Sequence, residues 1–283
     1  MGGERPELTG PADLFYNEQE AHKYTHNSRI TTVQTSLTER ALELLMLPDD
    51  GVPKLLLDLG CGSGLSGEII TEAGHHWVGM DISPAMLSVA VDREVEGDLS
   101  LLDMGQGVPF RPGTVDGAIS ISAVQWLCNA DTSSSNPRKR IKWFFQTLYD
   151  CLAKGARAVL QLYPQNVEQA EMLTTAALKV GFSGGLVVDF PNSTRAKKYF
   201  LVLMVGGGDI PHQDLALTGE PAEEVGVVGR QGGFKKRQRV DPDEGKGKGK
   251  GWVLRKKEQM RNKGYERIPM DTRFTGRKRR PKF

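Results

Sequence analysis

The chain has 283 residues, 39% of them hydrophobic, so it is long enough to bury a full core in one large domain or in a domain with an appendage. Its three cysteines include no Cys-x-x-Cys pair, which argues against a disulfide framework or a zinc ribbon. No apolar run approaches the roughly 18 residues of a membrane span, and the first residues lack an apolar secretory segment. We therefore expect a soluble protein of a reducing, intracellular compartment.

The net charge of +2 hides a division of the chain near Arg230. Residues 1–229 carry 17 basic and 29 acidic groups, a net charge of −12, whereas residues 230–283 carry 20 basic and 6 acidic groups, a net charge of +14. Basic residues in the second part are interspersed with aromatic ones, as in Phe234–Arg237 and Trp252–Lys257. Phosphates attract basic residues, and unpaired bases stack on aromatic rings, so this segment is predicted to bind RNA. The alternative is a tail that only increases solubility.

From Lys54 to about Val205, short β-rich apolar runs alternate with amphipathic stretches, which predicts βαβ units around a parallel sheet. Seven strands are predicted, at Lys54–Leu59, His76–Met80, Leu99–Asp103, Val115–Ile121, Ala156–Tyr163, Leu186–Phe190 and Lys198–Val205. Helices are predicted between them, at Leu65–Ala73, Pro84–Arg93, Arg138–Lys154 and Val167–Val180. Ser83 is predicted to cap the second of these helices, and Gly155 and Gly181 are predicted to end the third and the fourth. The last two strands are too close in sequence for a crossover helix, so they should be antiparallel. The predicted fold is an α/β, Rossmann-like, seven-stranded sheet, mostly parallel with one antiparallel terminal strand.

Three segments are predicted along the chain. Residues 1–47 look helical and carry Tyr16 and Tyr24 ahead of the first strand, so we expect this segment to close over a bound ligand. Residues 48–205 hold the sheet domain. Residues 206–283 lose the periodicity and become rich in glycine and charge, which predicts a flexible, basic, low-complexity tail. Its run Gly276–Pro281 is also typical of a nuclear localisation signal, a function compatible with RNA binding.

The strongest chemical signal is an apolar strand that ends in an acid and a glycine-rich turn, Asp58-Leu59-Gly60-Cys61-Gly62-Ser63-Gly64. Glycine lets the backbone approach a bound nucleoside closely, so the whole turn is predicted to bind a cofactor. The spacing Gly62-x-Gly64-x-x-Gly67 also satisfies the dinucleotide fingerprint, which keeps an NAD-dependent oxidoreductase as an alternative. The acid before the turn favours another cofactor, because Asp-x-Gly-x-Gly-x-Gly resembles the first motif of S-adenosylmethionine-dependent methyltransferases.

Further cofactor contacts are predicted at the ends of the following strands. Asp81 ends the second strand, where its carboxylate can accept hydrogen bonds from both ribose hydroxyls, although a helix-capping aspartate is the alternative. Ile82 follows it. In the resembled superfamily, the position of Asp103 and Met104 supplies a carboxylate and an apolar contact to the adenine, with a solvated loop acid as the alternative. Ser120, near the end of the fourth strand, completes the set.

The residues after the fourth strand are predicted to position the methyl acceptor. Gln125 and Trp126 lie there, and Tyr24 is added from the N-terminal segment; Trp126 either stacks on a base or packs as ordinary core. The sequence contains no Asn-Pro-Pro-Tyr for exocyclic amines and no Pro-Cys nucleophile, so Cys128 is expected to be inert. A ring nitrogen such as guanine N7 needs no base, so we assign no acid, base or metal ligand.

Five stretches resemble one known family: Phe15–Tyr24, Asp58–Gly67, Asp103–Gly107, Ser120–Leu127 and Gly276–Pro281. Through them the chain is similar, over nearly its whole length, to the eukaryotic 18S ribosomal RNA (guanine-N7) methyltransferases, the Williams-Beuren region methyltransferase family. The resemblance implies a class I fold, S-adenosylmethionine as cofactor, and methylation of guanine N7 in 18S rRNA of the pre-40S small ribosomal subunit during ribosome biogenesis. It also implies a nuclear and nucleolar location with some cytoplasmic pool, and a small zinc-binding activator subunit as partner.

A docking place for that subunit can be predicted from strand order. In the usual order the third strand, near Leu99–Leu102, lies at an open sheet edge, where a partner can add a strand. Two other functions stay open, because fold does not determine substrate. One is methylation of a protein or small molecule, and the other is a ribosome-assembly factor that keeps the cofactor pocket chiefly for stability.

Overall fold

The computed structural model describes residues 5–130, 135–193, 196–207, 216–217 and 257. The chain divides into two units, residues 1–231 and residues 232–283. The predicted RNA-binding and nuclear-targeting tail lies almost entirely outside the described residues. Among the residues that are described, no helix is both long and apolar enough to cross a membrane.

Within the first unit, seven strands form one sheet in the order β3-β2-β1-β4-β5-β7-β6. Their bounds are β1 Leu55–Leu59, β2 His76–Asp81, β3 Asp98–Leu101, β4 Val115–Ile121, β5 Leu152–Leu162, β6 Ser183–Asp189 and β7 Lys198–Met204. β1 to β5 pair in parallel, while β7 runs antiparallel to β5 and β6, which confirms the predicted sheet. The order reverses between β1 and β4, and such a reversal opens a crevice at the carboxyl ends of the strands.

The described part of the first unit holds seven α-helices: α1 Ala12–Phe15, α2 Glu18–His26, α3 Ser28–Leu45, α4 Leu65–Glu72, α5 Pro84–Asp92, α6 Pro137–Cys151 and α7 Val167–Val180. The local end signals behave as expected. Ser83 caps α5 by accepting a hydrogen bond from the Met86 N–H at 3.1 Å, and Gly181 ends α7 at a φ of +123°. The last four helices therefore begin within one residue of their predicted starts.

The carboxyl end of α6 differs from the prediction, which continued the helix to Lys154 with Gly155 as its terminating residue. The helix stops at Cys151 because Leu152 already pairs with Val115 at the start of β5. Gly155 lies inside β5 at a φ of +83°, and the register between β4 and β5 shifts in this region. The glycine thus serves a strand irregularity rather than a helix end.

Both faces of the sheet are covered, because successive strand residues point to opposite sides. Leu57 of β1 joins an apolar cluster with Phe144 and Phe145 of α6, whereas its neighbour Leu56 joins a second cluster with Leu44 of α3. Helix α3 therefore belongs to the sheet domain although it precedes the first strand. Cys61, in the turn after β1, also belongs to the second cluster.

Helix α3 is also fixed by a largely buried ion pair. Arg40 donates from Nε to Asp189 Oδ2 at 2.9 Å, and Asp189 at the end of β6 is only 1% exposed. The remaining carboxylate oxygen accepts from the Leu217 N–H at 2.9 Å. This pair anchors the last of the N-terminal helices, and with it the segment that extends across the carboxyl edge of the sheet.

Candidate functional site

A cavity of about 910 Å³, counting its open mouth, lies at the carboxyl ends of β1, β2 and β4. The turn after β1 and the segments after β2, β3 and β4 form one side, and the N-terminal helices form the other. Ten of the predicted site residues line it: Tyr24, Gly60, Cys61, Gly62, Ser63, Asp81, Ile82, Asp103, Met104 and Trp126. The sequence motifs therefore converge on one place.

Backbone hydrogen bonds to the end of β2 shape the glycine-rich turn. The N–H groups of Gly60 and Cys61 both donate to the Met80 carbonyl oxygen, at 2.7 and 3.1 Å. Gly60 has a φ of +79°, and a Cβ there would lie 2.3 Å from the Cβ of Ala123, so only glycine fits. The turn is consequently pressed against the segment after β4, with its backbone bordering the cavity.

Asp81 ends β2 and lines the cavity. Its Oδ2 accepts from the Gly62 N–H at 2.9 Å, and its Oδ1 accepts from the Ser83 N–H at 2.8 Å. Burial raises the pKa of Asp81, and these backbone hydrogen bonds oppose the rise. Each oxygen keeps a lone pair for a ligand, so capping and ligand binding are compatible roles.

Asp58 lies behind the glycine turn rather than on the cavity wall. It is completely buried, its Oδ2 accepts from the Ser66 hydroxyl at 2.5 Å, and its Oδ1 has no hydrogen-bond partner among the described residues. Burial raises the pKa of Asp58 to about 7, the hydrogen bond from Ser66 opposes the rise, and the charge of Asp81 adds to it. A buried acceptor left without a donor is costly, which points to a ligand or water as its missing partner.

The segment after β3 presents Asp103 at the cavity. Its Oδ1 accepts from the Gly105 N–H at 2.8 Å and pairs with Arg140 Nη2 of α6, also at 2.8 Å. Asp103 is thus not a freely solvated loop acid, because Gly105 and Arg140 already contact one of its carboxylate oxygens. Arg140 lines the same cavity, and no local pattern indicated it, because the pair joins residues 37 positions apart.

The N-terminal helices cover the cavity with aromatic rings. The Tyr16 ring lies 6.0 Å from Trp126 and 5.9 Å from Tyr24, and Phe15 packs on Trp126 as well. The hydroxyl of Ser83 donates to the Tyr16 carbonyl oxygen at 2.7 Å, which ties the cover to the first residue before α5. The N-terminal helices therefore lie over the cavity, and their rings pack directly against one another.

Four predicted site residues do not line this cavity: Asp58, Gly64, Ser120 and Gln125. Ser120 is fully buried inside the sheet, where its hydroxyl donates to the Leu59 carbonyl oxygen at 2.7 Å. Gln125 faces a neighbouring cavity instead. Gly64 begins α4 at a φ of +78°.

Sequence reasoning also missed lining residues that carry no motif. Ala12, Gln34 and Met86 contribute to the wall from three different helices. Cys128, by contrast, behaves as expected, because burial raises the pKa of its thiol to about 12 and leaves it a poor nucleophile.

Comparison with known proteins agrees with this geometry. Residues 57–160 match the family model described as "Methyltransferase domain", and residues 203–281 match "Methyltransferase involved in Williams-Beuren syndrome". Phosphoethanolamine N-methyltransferase 2 of Haemonchus contortus, solved with S-adenosyl-L-methionine, superposes with a TM-score of 0.53 at 15% identity, over 68% of this chain and 58% of that one. That likeness shows the fold alone. Fold and site together define a class I S-adenosylmethionine-dependent methyltransferase.

Full-length relatives narrow the class. The chain is 57% identical to the 18S rRNA (guanine-N(7))-methyltransferase RID2 of Arabidopsis thaliana, over 99% of both chains. It is 56% identical to the corresponding mouse enzyme, over 99% of this chain and 98% of that one, and 49% identical to the Saccharomyces cerevisiae enzyme, over 99% of both. The chain belongs to the 18S rRNA (guanine-N7)-methyltransferase family, which removes the dinucleotide-dependent alternative.

The residues present fit S-adenosylmethionine on structural grounds. The oxygen atoms Asp58 Oδ1 and Ser63 Oγ are buried beside the turn and have no hydrogen-bond partner within the described residues. The carboxylates of Asp81 and Asp103 lie on the same wall, and a side chain at Gly60 is sterically forbidden. These oxygen acceptors suit a ligand that donates hydrogen bonds from amino groups and ribose hydroxyls, as S-adenosylmethionine does.

Replacing Asp58 by asparagine should remove part of the pH dependence of stability. The folded carboxyl titrates at about 7 against an ordinary value of 3.8, so between these values the folded state holds the extra proton. The free energy of unfolding therefore falls as pH rises through this window, by about 2–3 kcal/mol between roughly pH 5 and pH 8. Thermal unfolding at both pH values should show a smaller loss for Asp58→Asn than for wild type.

The matched control is Asp92→Asn, at the exposed end of α5. Its pH dependence should follow that of the wild type. An unchanged pH dependence in Asp58→Asn would show that Asp58 is ionised in the folded protein despite its burial.

Proposed function

We propose that this chain transfers the methyl group of S-adenosylmethionine to N7 of a guanine in 18S rRNA. The observation that carries the proposal is 57% identity over 99% of the chain to an enzyme of that activity. The cavity beneath the N-terminal helices supports it, because the motif residues and an aromatic cover meet there. Membership in the family indicates the methyl acceptor, and the lining of the cavity indicates where the reaction would take place.

The cofactor would be held by groups on three neighbouring strand ends. The turn from Gly60 to Gly62 would border its methionine portion, with Asp58 reaching that portion through water. Asp81 would accept from the ribose hydroxyls, because both of its oxygens are oriented by backbone N–H donors. Asp103, oriented by Arg140, would accept from the adenine amino group.

The reaction demands alignment more than proton transfer. S-Adenosylmethionine supplies an electrophilic methyl group on a sulfonium centre, and guanine N7 offers a lone pair without a proton. The chain contributes orientation and exclusion of water: Trp126 is only 9% exposed beneath the N-terminal helices. Burial raises the pKa of both Tyr16 and Tyr24, so these phenols stay neutral and their faces suit a cationic ligand.

Asp81→Asn should reduce methylation by weakening cofactor binding. Asparagine has an NH2 group in place of one carboxylate oxygen, and this donor would face either a backbone N–H group or a ribose hydroxyl. The loss of one hydrogen bond to a charged group lowers the affinity for S-adenosylmethionine by about 10- to 100-fold. Calorimetry with S-adenosylmethionine and mapping of N7-methylguanine in 18S rRNA, using the chain with any required activator, measure both effects. Asp92→Asn serves as the control.

This experiment also tests whether methylation is the biological role. If Asp81→Asn loses cofactor binding and methylation yet restores normal ribosome production, the chain acts chiefly as an assembly factor. If the wild-type chain adds no methyl group to 18S rRNA, the proposed function is wrong.

A cationic face on α6 supports binding of RNA beside the cavity. Arg138, Lys139 and Lys142 are exposed in the first two turns of the helix, and Trp143 is 54% exposed. Positive charge at a helix amino end opposes the helix dipole, so these residues do not serve helix stability. Since Arg140 of the same helix reaches the cavity, phosphates bound on this face would lie close to the reacting base.

The triple variant Arg138→Glu, Lys139→Glu, Lys142→Glu should bind rRNA fragments more weakly. The slope of log affinity against log salt should fall by about 2, at roughly 0.7 for each lost phosphate contact. Lys179→Glu on α7 is the control. Cofactor affinity should be unchanged in both, and an unchanged salt slope in the triple variant rules this face out.

We also propose that residues 230–283 add RNA contacts and direct the chain to the nucleus and nucleolus. Their sequence supports this through a net charge of +14 and the Gly276–Pro281 run. The RNA affinity of a chain truncated after residue 229 should be measured beside that of the α6 triple variant. The comparison separates the contribution of the tail from that of α6.

The open edge of the sheet is our proposed docking place for the small zinc-binding activator. Strand β3 pairs only with β2 among the described strands, and Leu101 at its end is 61% exposed. Val91 of α5, a helix that packs on β3, is 64% exposed. A partner could add a strand to this edge and cover both side chains. Leu99, by contrast, packs partly against the core and is a poorer contact than the sequence suggested.

Leu101→Asp should abolish co-purification with the activator, because it places a charge in an apolar contact. The variant should stay folded, since the side chain is mostly in solvent. Val167→Asp on α7, also an exposed apolar residue at 69%, is the control and should keep the partner. Retention of the activator by Leu101→Asp would exclude this edge.

A further inference from the structure

Ser122 directly follows β4 and has a backbone conformation that serine rarely adopts. Its φ is +59°, in the left-handed region where glycine is the usual residue, because a side chain costs free energy there. Ser122 lines the cofactor cavity, as does its neighbour Ala123. Other residues than glycine keep this conformation only where surrounding contacts hold them, and they cluster at functional sites. The contacts that hold Ser122 are therefore candidates for a role in the reaction.

Hydrogen bonds hold Ser122 through its N–H group, its hydroxyl and its carbonyl oxygen. The N–H group donates to the Gln161 carbonyl oxygen at 3.1 Å, and the hydroxyl donates to Gln161 Oε1 at 2.7 Å. The Ser122 carbonyl oxygen accepts from Gln125 Nε2 at 2.8 Å. The backbone on both sides of the residue and its side chain are thus fixed, which offsets the cost of the left-handed conformation.

Gln161 is a polar residue in the interior of the sheet. It lies near the end of β5, pairs with Ile121 of β4, and is completely buried. Its Nε2 donates to the Leu162 carbonyl oxygen at 3.3 Å, a longer hydrogen bond than the one it accepts from Ser122. A buried amide costs free energy unless its groups are paired, so an apolar side chain would suit this strand better if stability alone mattered. The contact with Ser122 explains why a glutamine is found here.

The segment that follows Ser122 has little room to move. A Cβ at Gly60 would lie 2.3 Å from the Cβ of Ala123, so this segment already touches the glycine-rich turn. The turn is attached separately, by its own hydrogen bonds to the end of β2. The place of Ala123, and of Trp126 further along the segment, therefore depends on Ser122 and not on the turn alone.

We propose that the hydrogen bond between Ser122 and Gln161 positions the wall that faces the methyl acceptor. Gln161 holds the Ser122 hydroxyl, Ser122 keeps its left-handed backbone, and the following segment is thereby held with Ala123 and Trp126 at the cavity. Neither Ser122 nor Gln161 transfers a proton, and both are positioning residues. The inference rests on the proposed function and names the contact that aligns the acceptor for transfer.

Ser122→Ala removes the hydroxyl and leaves the left-handed backbone with less support. We expect kcat on a synthetic RNA carrying the mapped guanine to fall by about 10- to 100-fold, and kcat/KM for the RNA to fall equally, because alignment matters in the transition state. Affinity for S-adenosylmethionine, measured by calorimetry, should stay within about 3-fold of wild type, since the turn is held independently. Rates are measured with any required activator, below the unfolding temperature of every variant. Ser88→Ala, exposed on α5, is the control and should match the wild type.

Ser122→Gly separates the effect of the backbone from that of the hydroxyl. Glycine adopts the left-handed conformation freely, so this variant removes the cost of the conformation together with the bond to Gln161. It should be as slow as Ser122→Ala, because the segment loses the same attachment. Wild-type activity in Ser122→Gly would show that the backbone conformation alone is sufficient and would overturn the proposal.

The double variant Ser122→Ala, Gln161→Met separates alignment from stability. Ser122→Ala alone leaves Gln161 Oε1 buried without its donor, which is destabilising, whereas in the double variant both partners are apolar. The melting temperature should therefore rise toward that of the wild type, while kcat should stay as low as in Ser122→Ala. Recovery of kcat together with stability would show that the contact serves only the fold.

The remaining outcomes distinguish this inference from the function on which it rests. Failure of the wild type to methylate the guanine RNA contradicts the proposed function. If the wild type is active and Ser122→Ala keeps its kcat, the positioning role is wrong. A loss of affinity for S-adenosylmethionine large enough to account for the lower rate also contradicts it, because the contact would then shape the cofactor site.

Discussion

The site depends on one set of backbone hydrogen bonds, those that attach the glycine-rich turn to the end of β2. Three successive N–H groups, of Gly60, Cys61 and Gly62, donate to the Met80 carbonyl and to the Asp81 carboxylate. The same carboxylate accepts from the residue that caps α5, and that residue in turn fastens the N-terminal cover through its hydroxyl. Moving Asp81 would therefore disturb the turn, the helix and the cover together.

Local patterns in the sequence predicted most of this framework. The strand Val115–Ile121, the helix Val167–Val180 and the cap at Ser83 were readable because alternation, helical spacing and capping chemistry act within a few residues. The acid-led glycine turn was readable for the same reason. The premature end of α6 was not, because the pairing of Leu152 with Val115 joins distant parts of the chain.

Long-range partners decided which motif residues face the cavity. Ser120 lies near the end of β4, where a site residue was predicted, yet its hydroxyl donates to the carbonyl oxygen of Leu59 on the neighbouring strand. Arg140 belongs to an ordinary amphipathic helix and becomes a site residue only because the segment after β3 passes beside it. Neither outcome is encoded within a short window, so composition and spacing could not supply it.

The class I sheet by itself does not explain the choice of the methyl acceptor. The class I sheet and its glycine turn bind a common cofactor and are shared by enzymes with many acceptors, so they cannot by themselves choose guanine. Acceptor-side groups must come from segments that vary between such enzymes. In this chain the N-terminal segment both covers the cofactor cavity with Tyr16 and brings Glu7 against Gln125. The segment that would exclude water from the methyl group therefore also contacts the residues after β4, through the hydrogen bonds from Gln125 and Asn129 to Glu7.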